Sequence, residues 1–483
     1  MSPENYDVVV IGAGSAGLSA GITAAEHGAT VLVLEKTRTA GGLIRGGSGL
    51  FAVESRVQKE NQVALTRAEA FRIFMEFSHW RVDAALVSEY INRSADTIAW
   101  LESLGARFSD VVAYYTGAYR TWHFRDPDGP ELADVLIAHA AKLGIEVRLE
   151  TRADALLYDG VRVHGLSTEA GDRIEAGAVI LATGSFSGDA DLVRRHTGLT
   201  PGIDVYPFPA PAATGDGLRL ARAAGAALGE TTSETYVCLP EPFWGPGGTP
   251  PHLGSFRQPN LMVNQFGERF MDEQIMRHPA HAGNAVHRQP GGCAYMILDE
   301  SAELHYREHG WDTVMSKLPV EESVDLAQAV ATAQLIGYRH LFRAESVPEL
   351  AEQTGIDPGA LAETINAYNE ACAIGRDEKF HKDPALLRPL TQGPYYAARF
   401  SLGSYGARGG IKINHRAETL DEAGRAIAGL YATGNDANTI YGGTYPFALS
   451  GNSSAFAYNS GRIAGEHSAA HAATIHEKSE QRS

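Results

Sequence analysis

Apolar and polar positions follow two rhythms along the first part of the chain. Asp7-Val8-Val9-Val10-Ile11 is an apolar run too short for a helix and rich in β-branched residues, so it predicts a buried strand. Gly12-Ala13-Gly14-Ser15-Ala16-Gly17 then opens a helix, and Val31-Leu32-Val33-Leu34 is a second apolar strand stopped by Glu35. Helical periodicity covers roughly 67 to 104, and again Leu132 to Leu143; Val147 to Ala155 reads as a strand. Val161 to Ser167 and Arg173 to Glu175 predict a small β-meander. Ala178 to Gly184 is a buried strand ending in small residues, which lets the chain pass close beneath a bound molecule.

The rhythm changes near Ser233. Pro240 to Pro251 is rich in proline and glycine, and no strand–helix alternation returns for about 150 residues. Leu261 to Val263 and Ala294 to Leu298 are strand-like. Val347 to Gln353 and Pro358 to Ala373 are helical, with Asp357 as N-cap and Pro358 at the first helical position. The first domain resumes near Gly393, passes through the strand Gly429 to Gly434, and closes with a helix from Asn452 to about His467; His471 to Ser483 is polar and is expected to fray. The chain is therefore divided as 1–233 and 391–483 for an α/β domain, with 234–390 an inserted α+β cap. A length of 483 residues, beyond one ordinary core, suits two domains.

Composition narrows the chemistry. A net charge of −17 argues against nucleic acid or an anionic membrane surface as partner. Cys238, Cys293 and Cys372 are too few and too widely spaced for a disulfide framework, an iron–sulfur or zinc site, or haem attachment. No metal site is expected. Without an apolar run of spanning length or a leader-like start, the expected location is the cytoplasm.

The glycine turn carries the clearest chemistry. Gly12 permits the tight turn, Gly14 lets backbone approach a pyrophosphate, and Gly17 lets helix pack on strand. The helix N-terminus attracts the phosphate charge, and Glu35, eighteen residues beyond Gly17, ends the second strand where a carboxylate accepts ribose hydroxyls. This sets a Rossmann-like dinucleotide site.

Four motifs occur in order: Gly12-x-Gly14-x-x-Gly17 with Glu35, Ala182-Thr183-Gly184, Thr214-Gly215-Asp216-Gly217, and Gly429-Leu430-Tyr431-Ala432-Thr433-Gly434. Together they resemble the flavoprotein family of fumarate reductase, succinate dehydrogenase, urocanate reductase and the 3-ketosteroid dehydrogenases, over nearly the whole chain. The resemblance implies an FAD-binding domain of Rossmann-like α/β fold with an inserted capping domain. It implies FAD contacts from Gly12, Gly14, Ser15, Ala16 and Gly17, from Glu35 and Lys36, and from the loops Gly41-Gly42 and Gly47-Ser48-Gly49. Further contacts fall to Ala155, to Ala182, Thr183 and Gly184, to Asp216, and to Gly434 and Asn435. Ser450, Asn452 and Ser453 resemble the Gly-Gly-Asn turn of fumarate reductases, where a helix N-terminus faces the reduced, anionic flavin.

The cap segment Gly267-Glu268-Arg269-Phe270-Met271-Asp272-Glu273 resembles the family's G-x-R-F-x-[ND]-E motif, followed four residues later by Arg277. In fumarate and urocanate reductases that position is an arginine proton donor; in Δ1-ketosteroid dehydrogenases it is a tyrosine base. Glu273, or Asp272, is expected beside Arg277 to replenish its proton. The plain alternative is an i,i+4 ion pair between Glu273 and Arg277. The family's carboxylate-binding His and Arg positions are occupied by Gly406 and Ala448, which disfavours fumarate; Arg408 stands nearby as a substitute. Gly442-Gly443-Thr444-Tyr445-Pro446 resembles the T-Y-P segment of ketosteroid dehydrogenases, implying that Tyr445 hydrogen-bonds a substrate carbonyl. Arg120, Trp122 and His123 form a loop that reads first as structural, and His278 and His281 lack metal-ligand spacing.

The expected activity is that of an FAD-dependent oxidoreductase acting on a C=C or CH–CH bond beside a carbonyl. The alkene-reducing direction is favoured on an enone or enoate other than fumarate, with hydride from flavin N5 and a proton from Arg277. A ketosteroid-like desaturase is the alternative, and a flavin-fold binding protein without turnover the minor one. Neither a second G-x-G-x-x-G nor a haem motif is present, so electrons are expected to come from, or leave to, a separate partner.

Overall fold

The computed structural model describes residues 4–44, 49–240, 251–313, 325–335 and 337–480. Strand β1 (Glu4–Ile11), helix α1 (Ser15–Glu26) and strand β2 (Val31–Leu34) form where the apolar runs place them. They belong to an eight-stranded sheet whose main path runs from Glu418–Leu420 through Ala426–Ala432, Arg173–Leu181, β1 and β2 to Glu146–Arg148. All neighbours along it are parallel except the outermost pair at Glu418–Leu420. Residues 8–11, Val31–Leu34 and residues 178–181 in its middle are buried, which is why they read as continuous apolar runs rather than alternation.

Three local expectations change. Val147 to Ala155 is not one strand: Glu146–Arg148 pairs with β2, the chain turns, and Ala153–Tyr158 starts the meander. The meander's last leg and the buried strand are likewise one element, Arg173–Leu181, which pairs antiparallel with Val163–Thr168 at its start and parallel with β1 along its length. The closing helix runs from Asn452 to Glu480 rather than ending near His467. Polar composition misled there, because Ala472 packs against Gly177 and His476 bonds Asp7 at the start of the sheet. Near its start the same helix lies on α1 so closely that a Cβ on Gly461 or Gly465 would fall 2.3 Å from the carbonyl oxygens of Ala16 and Ala20.

A second, six-stranded sheet gathers the remaining long strands around Tyr395–Ile411, 17 residues long. Its first half pairs with Ala294–Asp299 and Leu341–Ala344, and its second half with Leu228–Cys238. The position 233/234 therefore lies inside a strand, and 390/391 shortly precedes one. Strand Tyr395–Ile411 thus pairs on one side of the expected boundary with Ala294–Asp299 and on the other with Leu228–Cys238. Among the described residues, no helix is long and apolar enough to cross a membrane.

Candidate flavin and substrate site

The cofactor side of the site is a cleft over the ends of β1, β2 and Arg173–Leu181, lined by Gly12, Gly14, Ser15, Ala16, Glu35, Lys36, Gly42, Ala182, Thr183, Gly184, Asp216 and Asn435. At Gly12, φ is +108° and a Cβ would lie 2.3 Å from the Ala182 carbonyl oxygen, so only glycine closes this turn. Gly14 caps α1 without any side-chain hydrogen bond, leaving the helix's first N–H groups to a ligand. Space is open where its Cβ would stand.

Glu35 is aimed by two backbone donors: Ala13 N–H at 3.0 Å and Thr37 N–H at 2.8 Å. Lys36 donates to Thr214 Oγ1 at 2.6 Å and Asp216 Oδ2 at 2.7 Å, so it orders the cleft rim together with Arg152. Burial alone would raise the Asp216 pKa, but Arg152 and Lys36 outweigh it and hold the carboxylate below its usual range. The open helix start, the oriented Glu35 and the glycine cradle fit a dinucleotide such as FAD.

Gly41 donates its N–H to Ala13 O at 2.8 Å, and Gly49 packs against the His123 carbonyl; Gly47 and Ser48 lie outside the described residues. Ala155 is exposed, and Ala153 lines the cleft in its place, because the strand begins at Ala153 and carries Ala155 away from the sheet ends. Gly434 is buried against Ala16 and donates to Ser460 Oγ. Sequence reading missed Asp436. Its fully buried carboxylate accepts Thr183 N–H at 2.5 Å and Ser185 N–H at 2.7 Å, tying two strand ends together beneath the cleft. The only signal was an acid two residues after Gly434.

At the start of the closing helix, Ser450 and Asn452 face inward. Ser450 Oγ donates to Phe447 O, while Asn452 Oδ1 accepts Tyr90 Oη–H at 2.9 Å and its Nδ2 donates to Leu449 O. Both fix the turn that presents Ser453, whose N–H donates to Tyr445 Oη at 3.3 Å. Tyr445 packs against Tyr441 and Phe447, with ring centroids at 5.0 and 4.8 Å. Burial, reinforced by Glu234, holds its hydroxyl well above the usual tyrosine range, so it keeps its proton.

Glu234 is the principal residue that sequence reading missed on this side. It sits in Leu228–Cys238, 5% exposed, and accepts from Arg408 Nη2 at 2.5 Å. Burial raises its pKa, and Arg408 opposes the shift. Arg408 also donates to the carbonyls of Tyr405 and Ala407. The arginine considered as a substitute carboxylate clamp is thus committed to an internal partner. Gly406 has φ +132°, and a Cβ there would lie 2.8 Å from both Arg408 Nη1 and Ser187 Oγ, so this backbone leaves no room for a histidine at that position.

The expected relay between Glu273 and Arg277 is not formed. Glu273 is wholly buried and accepts two bonds of 2.7 Å from Arg269, one of 3.2 Å from Met262 N–H, and a contact of 3.3 Å from Lys382 Nζ. Arg269 also holds Asp377 at 2.8 Å. Asp377 lies at about 2: burial, which would raise it, is outweighed by Arg269. This buried quartet captures Glu273 because Arg269, four residues earlier in an extended segment bridged to Val263, is buried with it. Asp272 caps the short 3-10 turn Glu273–Arg277 through Gln274 N–H. Arg277 ends that turn exposed, with its charge acting on Tyr115 and His278.

The remaining loop is structural. Arg120 bonds the carbonyls of Val111 and Asn61, Trp122 bonds Gly49 O, and His123 bridges Ser55 Oγ with two carbonyls. Among the described residues, no cluster of three or more His, Cys, Asp or Glu could hold a metal.

The family described as FAD binding domain matches residues 7–454. A vinyl phenol reductase of Lactiplantibacillus plantarum is 33% identical over 483 aligned residues, spanning 96% of this chain and 97% of that protein. The open conformation of a flavocytochrome c3 fumarate reductase has 28% identity and a TM-score of 0.70, over 98% of this chain and 79% of that one. The 3-ketosteroid Δ4-(5α)-dehydrogenase of Rhodococcus jostii RHA1, solved with 4-androstene-3,17-dione, gives a TM-score of 0.75 at 24% identity, over 96% of this chain and 97% of that one, a likeness of fold.

Proposed function

We propose, on the premise that this chain belongs to the FAD binding domain family of oxidoreductases, that it reduces a conjugated carbon–carbon double bond in a substrate bearing a carbonyl or phenolic oxygen, and not in a dicarboxylate. Bound FAD supplies the hydride. The chain's own residues do the rest. Arg277 delivers the proton to the neighbouring carbon and regains it from solvent, being exposed and free of Glu273. Tyr445, its proton retained and its oxygen already accepting from Ser453, donates to the substrate oxygen.

The reading rests above all on the buried Glu234–Arg408 pair beside Ser453, Tyr441 and Tyr445. An arginine already neutralised by a buried glutamate has less charge to offer a substrate carboxylate, and the glutamate beside it disfavours a second anion. The aromatic rings around it suit a flat, neutral conjugated molecule instead. A separate electron donor and a cytoplasmic setting complete the proposal.

The test is anaerobic stopped-flow on dithionite-reduced holoenzyme, mixed in turn with 4-vinylphenol, a cyclic enone, urocanate and fumarate. Rapid flavin reoxidation by the vinylphenol or the enone, and none by fumarate, is expected. Arg277→Ala should slow that step by about 100-fold or more. Bleaching of the oxidised enzyme by a saturated ketone, without reoxidation by any alkene, would reverse the direction.

A further inference from the structure

His278 follows Arg277 and is the N-cap of helix Pro279–His287. It is 6% exposed, and its ring lies flat on His281, with centroids 3.6 Å apart and 12° between planes. Phe77 stacks with both rings. The ring nitrogens have different fates. Nδ1 accepts the His281 backbone N–H at 3.3 Å, which caps the helix. An acceptor nitrogen carries no proton, so a neutral imidazole here must carry its proton on Nε2. Burial, together with His281 and then Arg277, lowers the pKa of the ring to about 3, so it is neutral. Nε2–H is therefore a fixed donor, and among the described residues it is buried without a hydrogen-bond partner. Leaving such a donor unsatisfied is costly, and natural structures rarely do so without a use for the group.

The surroundings say what the use is. Tyr115 and Phe447 stand 5.8 and 6.0 Å from the His278 ring. Phe447 in turn packs on Tyr445 at 4.8 Å and Tyr114 at 4.7 Å, next to the start of the closing helix. His278 thus bridges the turn that carries Arg277 and the aromatic wall that carries Tyr445. We propose that His278 is a specificity-determining residue whose Nε2–H donates to the oxygen of the substrate, a phenol or a ketone. It rests on the alkene-reduction reading above. Together with the cap hydrogen bond, the stack on His281 holds the donor at one orientation before substrate arrives, so little ordering is required on binding.

The test uses oxidised holoenzyme and equilibrium titration, read by the shift of the flavin visible band. The probes are 4-ethylphenol, cyclohexanone and, lacking the oxygen, ethylbenzene. His278→Phe keeps an aromatic ring and removes both nitrogens; His278→Asn keeps an N-cap acceptor but is too short to reach the ligand. Both variants should weaken the preferred oxygenated probe tenfold or more and leave ethylbenzene unchanged; whichever of the two oxygenated probes is affected identifies the oxygen. Wild-type binding of His278→Asn, or an equal loss for all three probes, would make His278 a helix cap only and overturn the proposal. So would a wild-type protein that prefers neither oxygenated probe to ethylbenzene. Reoxidation of the reduced wild type by conjugated alkenes tests the underlying reading separately.

Discussion

The cofactor cleft and the substrate side are made from different parts of the chain's chemistry. In the cleft, backbone does most of the work: glycine turns, the open start of α1, and N–H groups that orient Glu35 and Asp436. On the proposed substrate side, side chains from distant segments come together: Glu234, Arg277 with His278, Arg408 and Tyr445. A backbone cradle is intolerant of one added carbon and indifferent to much else. A side-chain cluster depends on charges and donors meeting correctly. The two regions should therefore fail differently.

The largest effect is expected at Gly12. Replacing it with alanine puts a Cβ 2.3 Å from the Ala182 carbonyl at φ +108°, and the neighbour is backbone that cannot swing aside. Strain plus displacement should exceed about 3 kcal/mol, and FAD content should fall with it. The ratio of flavin absorbance to protein, and the melting temperature, measure this directly. A Gly12→Ala protein that purifies with full FAD would show that the turn is not the determinant argued here.

Glu273→Gln probes the opposite case. It leaves Arg269 and Lys382 buried with one carboxylate fewer, a loss of about 3–5 kcal/mol. The lesion lies in the cap, so FAD content should be retained while turnover falls with the displaced Arg277 turn. Loss of FAD together with activity would erase the distinction between the regions.

That same contrast explains what was legible in the sequence. The cleft was, because Gly12-x-Gly14-x-x-Gly17 with Glu35 encodes a backbone path in neighbouring residues, and β1, α1 and β2 form where it says. Ala155 in place of Ala153 shows the grain of that reading: Val147 to Ala155 read as one strand, whereas the chain turns after Arg148 and a new strand begins at Ala153. The substrate side was legible only in part. Spacing put Glu273 four residues before Arg277, yet Arg269, four residues before Glu273, claimed it. Linear spacing cannot say which of two equidistant partners points inward. Glu234 pairs with a residue 174 positions away, through sheet register that no local pattern encodes.

A third effect separates the regions by pH. His123 is wholly buried against Gly49 and Leu50, and burial lowers its pKa to about 4. In the unfolded chain an imidazole titrates near 6.5, roughly, so between those values only the unfolded state takes up the proton. Stability from this group is complete above about pH 6.5 and is lost as the pH falls toward 4, by about 1–3 kcal/mol. His278 acts in the same direction on the cap side. Melting temperatures measured from pH 7 to pH 4 should fall, and His123→Gln should flatten part of that slope. An unchanged slope would assign acid sensitivity to the cap histidines.

The smallest effect is expected at a neutral residue inside the cleft. Asn435 lines the cavity as a neutral amide. Here the next residue, Asp436, is a buried carboxylate held by Thr183 and Ser185, with a pKa raised by burial. An acid at 435 would set two carboxylates side by side and push the buried one further toward its protonated form, weakening its hold on the strand ends. Whatever a carboxylate at 435 gains on a ligand hydroxyl, it loses in part through its neighbour. Asn435→Asp should therefore change FAD affinity less than tenfold, about 1.4 kcal/mol at most, in a titration of apoprotein with FAD. A larger gain would mean that Asp436 is insulated from the cleft. A larger loss would mean that the strand-end tie through Asp436, not the glycine turn, sets the geometry of the cradle.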